Sequence, residues 1–177
     1  MRPRERCVRG GPMRRFFVAL RALVYMTGFV LFWGWIALSA REFDRSFGVL
    51  LPAWTETLGI IFMPVGGLLA LTCAAVFIAR GRGTPAPFDP PEEFVAAGPY
   101  KYVRNPMYIG ALVLLIGFGL YLHSISILLL SSVVFLLVDL FVVYFEEPNL
   151  SRKFGATYEA FCKAVPRWIP KWQPRGR

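Results

Sequence analysis

Gly98-Pro99-Tyr100-Lys101-Tyr102-Val103-Arg104-Asn105-Pro106-Met107-Tyr108 joins a proline-rich polar segment to an apolar helix. Asn105-Pro106 is a helix-start signature, with Asn suited to the N-cap and Pro to the first helical position, where a missing N–H costs nothing. The apolar run that follows, residues 107–122, is only 16 residues long. His123-Ser124 then makes a tight turn into a second run, residues 125–145. The stretch therefore predicts a helical hairpin that starts at a polar boundary, and that boundary is crowded with tyrosine hydroxyls and a guanidinium.

Working outward, two more runs can cross a bilayer at ~1.5 Å of rise per residue. They are residues 16–38 and 58–79. Trp33 and Trp35 suit interfacial anchors, and the first run is too long for the apolar core of a cleaved leader. Gly66, Ala70 and Ala74 recur at four-residue spacing, a small-residue stripe that lets another helix approach closely. The segment 80–105 carries Pro85, Pro87, Pro90, Pro91 and Pro99 and should be extended for much of its length.

After Pro148 the chain turns polar. Leu150, Phe154, Tyr158, Phe161 and Val165 follow helical spacing, so residues 149–165 predict an amphipathic helix on the membrane surface, with Trp168 and Trp172 at the interface. The fold class is all-α: a polytopic membrane protein of four transmembrane helices, a tight hairpin of helices 3 and 4, and a C-terminal interfacial helix. Residues 1–15 form a basic tail, and residues 16–177 form a single domain.

Composition agrees. Of 177 residues, 56% are apolar and mean hydropathy is +0.51, too greasy for an ordinary soluble domain. The net charge of +9 does not point to nucleic acid, because the basic residues lie outside the apolar runs. The tail, the 80–105 segment and the C-terminal segment carry 6, 4 and 7 Lys/Arg; the connector 41–57 carries 2 and the hairpin turn none. Four spans with both termini cytoplasmic put all three basic segments on one side, as expected for a multi-pass protein of the plasma membrane in a bacterium. Anionic membrane lipid is the expected partner of those charges. Cys7, Cys73 and Cys162 share no short spacing and His123 is the one histidine, so neither a disulfide framework nor a metal site is indicated.

Two acidic features stand out. Glu146-Glu147 is expected at a helix C-terminus, where two negative charges oppose the macrodipole and call for a cation, either a bound ammonium or Arg104 or Arg167. Asp139 lies inside a span, about two turns from Glu146 on the same face, and Arg21 at comparable depth is its expected partner.

An ordered series of motifs resembles the isoprenylcysteine carboxyl methyltransferase family, within the wider group of small membrane methyltransferases that includes phospholipid methyltransferases. The series runs from Glu93-Phe94-Val95 through Gly98-Pro99-Tyr100 and Arg104-Asn105-Pro106-Met107-Tyr108 to Glu146-Glu147 with Leu150, then Phe154-Gly155, Tyr158 and Val165-Pro166. Gly83-Thr84-Pro85-Ala86-Pro87-Phe88-Asp89-Pro90-Pro91 resembles the bacterial branch.

The resemblance implies methyl transfer from S-adenosylmethionine, held in a cytosol-facing pocket made by the hairpin and the C-terminal segment. It implies that Glu92, Glu93, Phe94, Val95 and Tyr100 line the cofactor, and that Asn105, Pro106, Met107 and Tyr108 occupy the family's His-Pro-x-Tyr positions, with Asn in place of His. Glu146 matches the acidic cofactor ligand. Eukaryotic members carry a substrate-facing arginine four residues before that glutamate, where this chain has Val142; Arg104 is then the candidate catalytic residue, orienting an anionic acceptor or the cofactor carboxylate, and Arg167 could supply the same charge.

The acceptor would be a lipophilic small molecule or lipid-modified substrate. Two other functions remain open at this point: a non-enzymatic membrane scaffold or accessory subunit, and a membrane reductase on a related helical core that would bind a reduced nicotinamide.

Overall fold

The computed structural model describes residues 12–81 and 95–171. Seven α-helices and three short tighter or wider turns account for its regular structure, and no strand occurs among the described residues. The helices are α1 (Pro12–Arg41), α2 (Asp44–Phe47), α3 (Trp54–Val76), α4 (Pro106–Tyr121), α5 (Ile125–Phe141), α6 (Glu147–Phe154) and α7 (Ala156–Ala164). Three helical stretches are long and apolar enough to cross a membrane: Ala19–Phe47, Trp54–Ala79 and Ile125–Phe154. Helix α4 is apolar but shorter. Leu31, Trp35, Leu68 and Leu136 are each at least 60% exposed, an outward face suited to lipid rather than water.

Helices α3 and α4 form the tightest contact, and glycine is the reason. A Cβ added at Gly66 would lie 2.5 Å from the Gly110 carbonyl oxygen and 2.5 Å from the Leu114 nitrogen. One added at Gly59 would meet the Tyr121 nitrogen at 2.5 Å, and one at Gly117 the Met63 nitrogen at 2.8 Å. The backbones touch because no side chain separates them. The stripe seen in the sequence is half of this arrangement: Gly66 and Ala70 do face α4, where Gly110 receives them.

Leu122, His123 and Ser124 alone connect α4 to α5. Ser124 N–H donates to the Gly119 carbonyl at 2.9 Å and His123 N–H to that of Leu120 at 3.2 Å, the paired bonds of a Schellman ending. His123 takes the left-handed position of that motif, at φ 54°. Ser124 then caps α5 by accepting from Ile127 N–H at 3.2 Å. From the connector, Asp44 Oδ1 accepts from Ser126 N–H at 2.8 Å and satisfies a second donor at the start of α5. Ala37, Leu115, Ile127 and Val134 form the core between α1, α4 and α5, with Trp33 packed against it. Trp33 is half-buried against this core, while Trp35 is 67% exposed.

Two sequence expectations about the last third of the chain are corrected. Helix α5 does not end at Glu146-Glu147: a π-helical turn, Val142–Glu146, carries it into α6. Pro148 explains the turn, since it has no N–H to offer the Tyr144 carbonyl, and a wider turn accommodates the misfit. The macrodipole argument for the two glutamates therefore falls away. Nor is 149–165 one helix. Gly155, at φ 52° and ψ −133°, breaks it into α6 and α7. The expected apolar set still converges, with Tyr158, Phe161 and Val165 packed against Leu150 and Phe154.

Candidate functional site

The site is built where α3 ends, α4 begins and α5 passes into α6. Gly98, at φ 57°, starts a short 3₁₀ turn, Gly98–Lys101, that folds Tyr100 back onto α3. A Cβ at Gly98 would also stand 3.0 Å from Val76 Cγ2. Tyr100 is buried, its ring edge-on to Phe77 with centroids 5.2 Å apart, and its hydroxyl shares a hydrogen bond with Cys73. Burial first, then the neighbouring Cys73, Glu146 and Tyr108, push the Tyr100 phenol pKa upward, so it is a neutral hydroxyl.

Pro106 opens α4 at N1 as expected. Asn105, however, is no side-chain cap: its Nδ2 donates to the Arg167 carbonyl at 3.4 Å, and Asn105 is buried beneath the C-terminal segment. Within the first turn of α4, Tyr108 Oη donates to Glu146 Oε2 at 2.8 Å. That bond closes a gap of 38 residues and brings together two of the residues expected to hold a cofactor.

The adjacent Glu147 faces elsewhere. Arg104 Nη1 approaches its Oε1 at 2.8 Å, Arg167 Nε donates to Oε1 at 2.9 Å, and Arg167 Nη2 donates to Oε2 at 2.8 Å. Both arginines suggested as cations for the acidic pair are thus on Glu147. The bond to Glu147 also raises the Arg167 pKa. Arg104 Nη1 further contacts Cys162 Sγ at 3.1 Å, and Arg104 Nε is buried with no acceptor among the described residues.

Asp139 is engaged by the C-terminal segment. Trp168 Nε1 donates to its Oδ1 at 2.8 Å, and Arg167 Nη1 lies 4.0 Å from the same oxygen. These groups, rather than the Arg21 expected from depth along the helices, hold the carboxylate. The Trp168 ring also meets Phe135 at 5.2 Å. Two backbone bonds lay the C-terminal segment along the start of α4: Arg104 N–H to the Pro166 carbonyl at 2.9 Å, and Lys171 N–H to the Tyr102 carbonyl at 3.0 Å.

Of the residues expected at the site, Tyr100, Asn105, Pro106, Tyr108 and Glu146 gather here with Arg104. Val95 is buried just before the Gly98 turn, and Met107 is half-buried at the start of α4. Glu92, Glu93 and Phe94 lie outside the described residues, as does Trp172. Val142 is fully buried in the π-helical turn. Sequence reasoning missed the two cysteines that touch the site, Cys73 under Tyr100 and Cys162 beside Arg104, because an isolated thiol carries no positional signal. Among the described residues, no group of three His, Cys, Asp or Glu side chains is placed to hold a metal ion.

A sequence profile described as phospholipid methyltransferase matches residues 54–157, from the start of α3 to the first turn of α7. The chain belongs to that family. The matched stretch contains Tyr100, Arg104, Asn105, Tyr108, Glu146 and Glu147, and the membrane-methyltransferase kinship read from the motifs holds at this level. With its three long apolar helices, this member of the phospholipid methyltransferase family is a multi-pass membrane protein. The nickel-cobalt-cadmium resistance protein NccN of Alcaligenes xylosoxydans xylosoxydans is 26% identical over 115 residues, which cover 65% of this chain and 49% of the relative. The chain thus spans about half the length of the curated relative it matches. No solved structure matches it.

Proposed function

We propose that this protein is an integral membrane enzyme that moves a methyl group from S-adenosylmethionine to a lipophilic acceptor, either an isoprenylcysteine-like carboxylate or another lipid or small hydrophobic acid, thiol or amine. The observation that carries the reading is the Tyr108–Glu146 hydrogen bond at 2.8 Å, which joins the α4 motif to the acidic motif beside a buried Tyr100.

The residues present suit the amino-acid end of that cofactor. Glu146 uses Oε2 for Tyr108, and a carboxylate retains acceptor positions for an ammonium. Arg104 Nε is a buried donor without an acceptor, and a carboxylate oxygen would satisfy it. When bound, the cofactor supplies a methyl group on a positively charged sulfur, open to in-line displacement. The chain's own work is alignment and exclusion of water, for which the C-terminal segment across Asn105 is suited.

The proposed topology has four spans, with α4 as the short one paired to α5 in a hairpin, and both termini cytoplasmic. A greasy acceptor enters from the bilayer between helices while the water-soluble donor arrives from the cytoplasm.

Binding of S-adenosylmethionine to the full chain in detergent, by titration calorimetry, tests the proposal. Wild type should bind, and Glu146→Ala and Tyr108→Ala should bind at least tenfold more weakly. No affinity in wild type, or unchanged affinity in both variants, refutes it. A reduced nicotinamide in the same screen tests the reductase function, and the scaffold function predicts no binding of either.

A further inference from the structure

Three stretches far apart in sequence meet on one carboxylate. Arg104 comes from the turn before α4, Glu147 from the start of α6, and Arg167 from the segment after α7. All three side chains are largely withdrawn from solvent, at 14%, 18% and 31% exposure. Withdrawn ion pairs add little net stability over apolar residues of the same size, because desolvation opposes the attraction. What they do supply is geometry: a guanidinium fork against a carboxylate permits few relative orientations.

Here the geometry governs the site. Arg167 offers Nε and Nη2 to the two oxygens of Glu147, while its own carbonyl receives Asn105 Nδ2. The side chain of Arg167 is thus fixed to α6 and its backbone to the start of α4. Arg104, held at Nη1 by Glu147 and Cys162, is left with its buried Nε as the donor without an acceptor.

We propose that Glu147 is a positioning residue for the ligand site: through Arg167 it holds residues 165–171 across Asn105, and through Arg104 Nη1 it sets where the unpaired Nε–H points. The proposal rests on the reading of this site as a cofactor pocket. It assigns the two neighbouring glutamates different work, Glu146 facing the ligand and Glu147 facing the arginines that shape its surroundings.

The test compares Arg167→Ala, Arg167→Lys and Glu147→Gln with wild type, as full chains in detergent, by S-adenosylmethionine titration and by trypsin digestion. Arg167→Ala should weaken binding by about tenfold, and Arg167→Lys, which keeps the charge but loses the fork, should recover part of that loss. Glu147→Gln should weaken binding at least as much as Arg167→Ala. Lys163 and Lys171 are exposed, so trypsin reads the C-terminal segment directly. The cofactor should protect residues 163–171 in wild type and fail to do so in Arg167→Ala.

If Glu147→Gln does not fold, the Arg167 pair decides alone. Affinities in the order wild type, Lys, Ala, with protection lost in Ala, uphold the proposal. Wild-type affinity and protection in a folded Arg167→Ala overturn it while leaving the proposed function standing. Absence of cofactor binding by wild type overturns both.

Discussion

Helix α3 should separate from α4 if a single methyl group is placed at Gly66. The new Cβ would sit 2.5 Å from the Gly110 oxygen and the Leu114 nitrogen, and 3.1 Å from Leu114 Cα. These are backbone atoms of a helix and cannot swing aside. Ordinary contact begins near 3.4 Å, so the helices must part by about 1 Å at the crossing. Overpacking of this kind costs roughly 1–3 kcal/mol, while Ala in place of Gly gains about 1 kcal/mol of helix propensity.

Gly28, on α1, isolates the packing cost, because a Cβ there meets nothing within 4 Å. Gly28→Ala gains the propensity without the collision. In a chain of this size, 1 kcal/mol corresponds to roughly 2–4 °C, so Gly66→Ala should melt about 2–12 °C below Gly28→Ala. The functional consequence follows from α4 carrying Tyr108. A displacement of about 1 Å along the Tyr108–Glu146 bond takes it from 2.8 Å out of hydrogen-bond range. Differential scanning fluorimetry and cofactor titration on the two variants check both halves. Equal melting of Gly66→Ala and Gly28→Ala would show that the helices do not touch backbone to backbone, and the reasoning would fail.

Three further outcomes are expected. Glu146→Gln keeps an acceptor for Tyr108 but removes the charge, so S-adenosylmethionine affinity should drop at least tenfold with melting nearly unchanged, as titration and fluorimetry will tell. Asp44→Ala removes the bond to Ser126 N–H at 2.8 Å and should cost about 1 kcal/mol, seen as a lowered melting temperature. Trp168→Phe keeps an aromatic ring beside Phe135 but leaves Asp139 Oδ1 without its 2.8 Å donor; a loss of roughly 1–3 kcal/mol is expected, while Trp168→Phe melting like wild type would mean that the bond is dispensable.

Much of the architecture was legible because a bilayer imposes its demand locally. A run of about 20 apolar residues can be recognised without knowing what it packs against. The same holds for Pro106 at the start of α4 and for the short turn at His123, which are decided by backbone chemistry within a few residues. Gly66 and Ala70 announced a close approach, and the motif series named Tyr100, Arg104, Tyr108 and Glu146, which the fold brings near one another.

Other features depend on the three-dimensional arrangement. Successive helical residues are turned by about 100°, so Glu146 and Glu147 project in different directions and acquire different partners. Nothing in the letters Glu-Glu says which one meets Tyr108 and which meets two arginines. Pro148 can either end α5 or only widen its last turn, and Gly155 can either sit within a helix or break it. The letters alone do not choose, and the fold takes the π-helical turn in one case and the break in the other. Asp139 could be matched by depth to Arg21, but its donor arrives from Trp168, 29 residues along the chain. Sequence specified which segments are apolar enough to enter a membrane because hydrophobicity is a property of each segment alone. The pairing of charges at the site was settled only by the tertiary fold, because a carboxylate's partner is whichever donor the packed helices bring within about 3 Å of it.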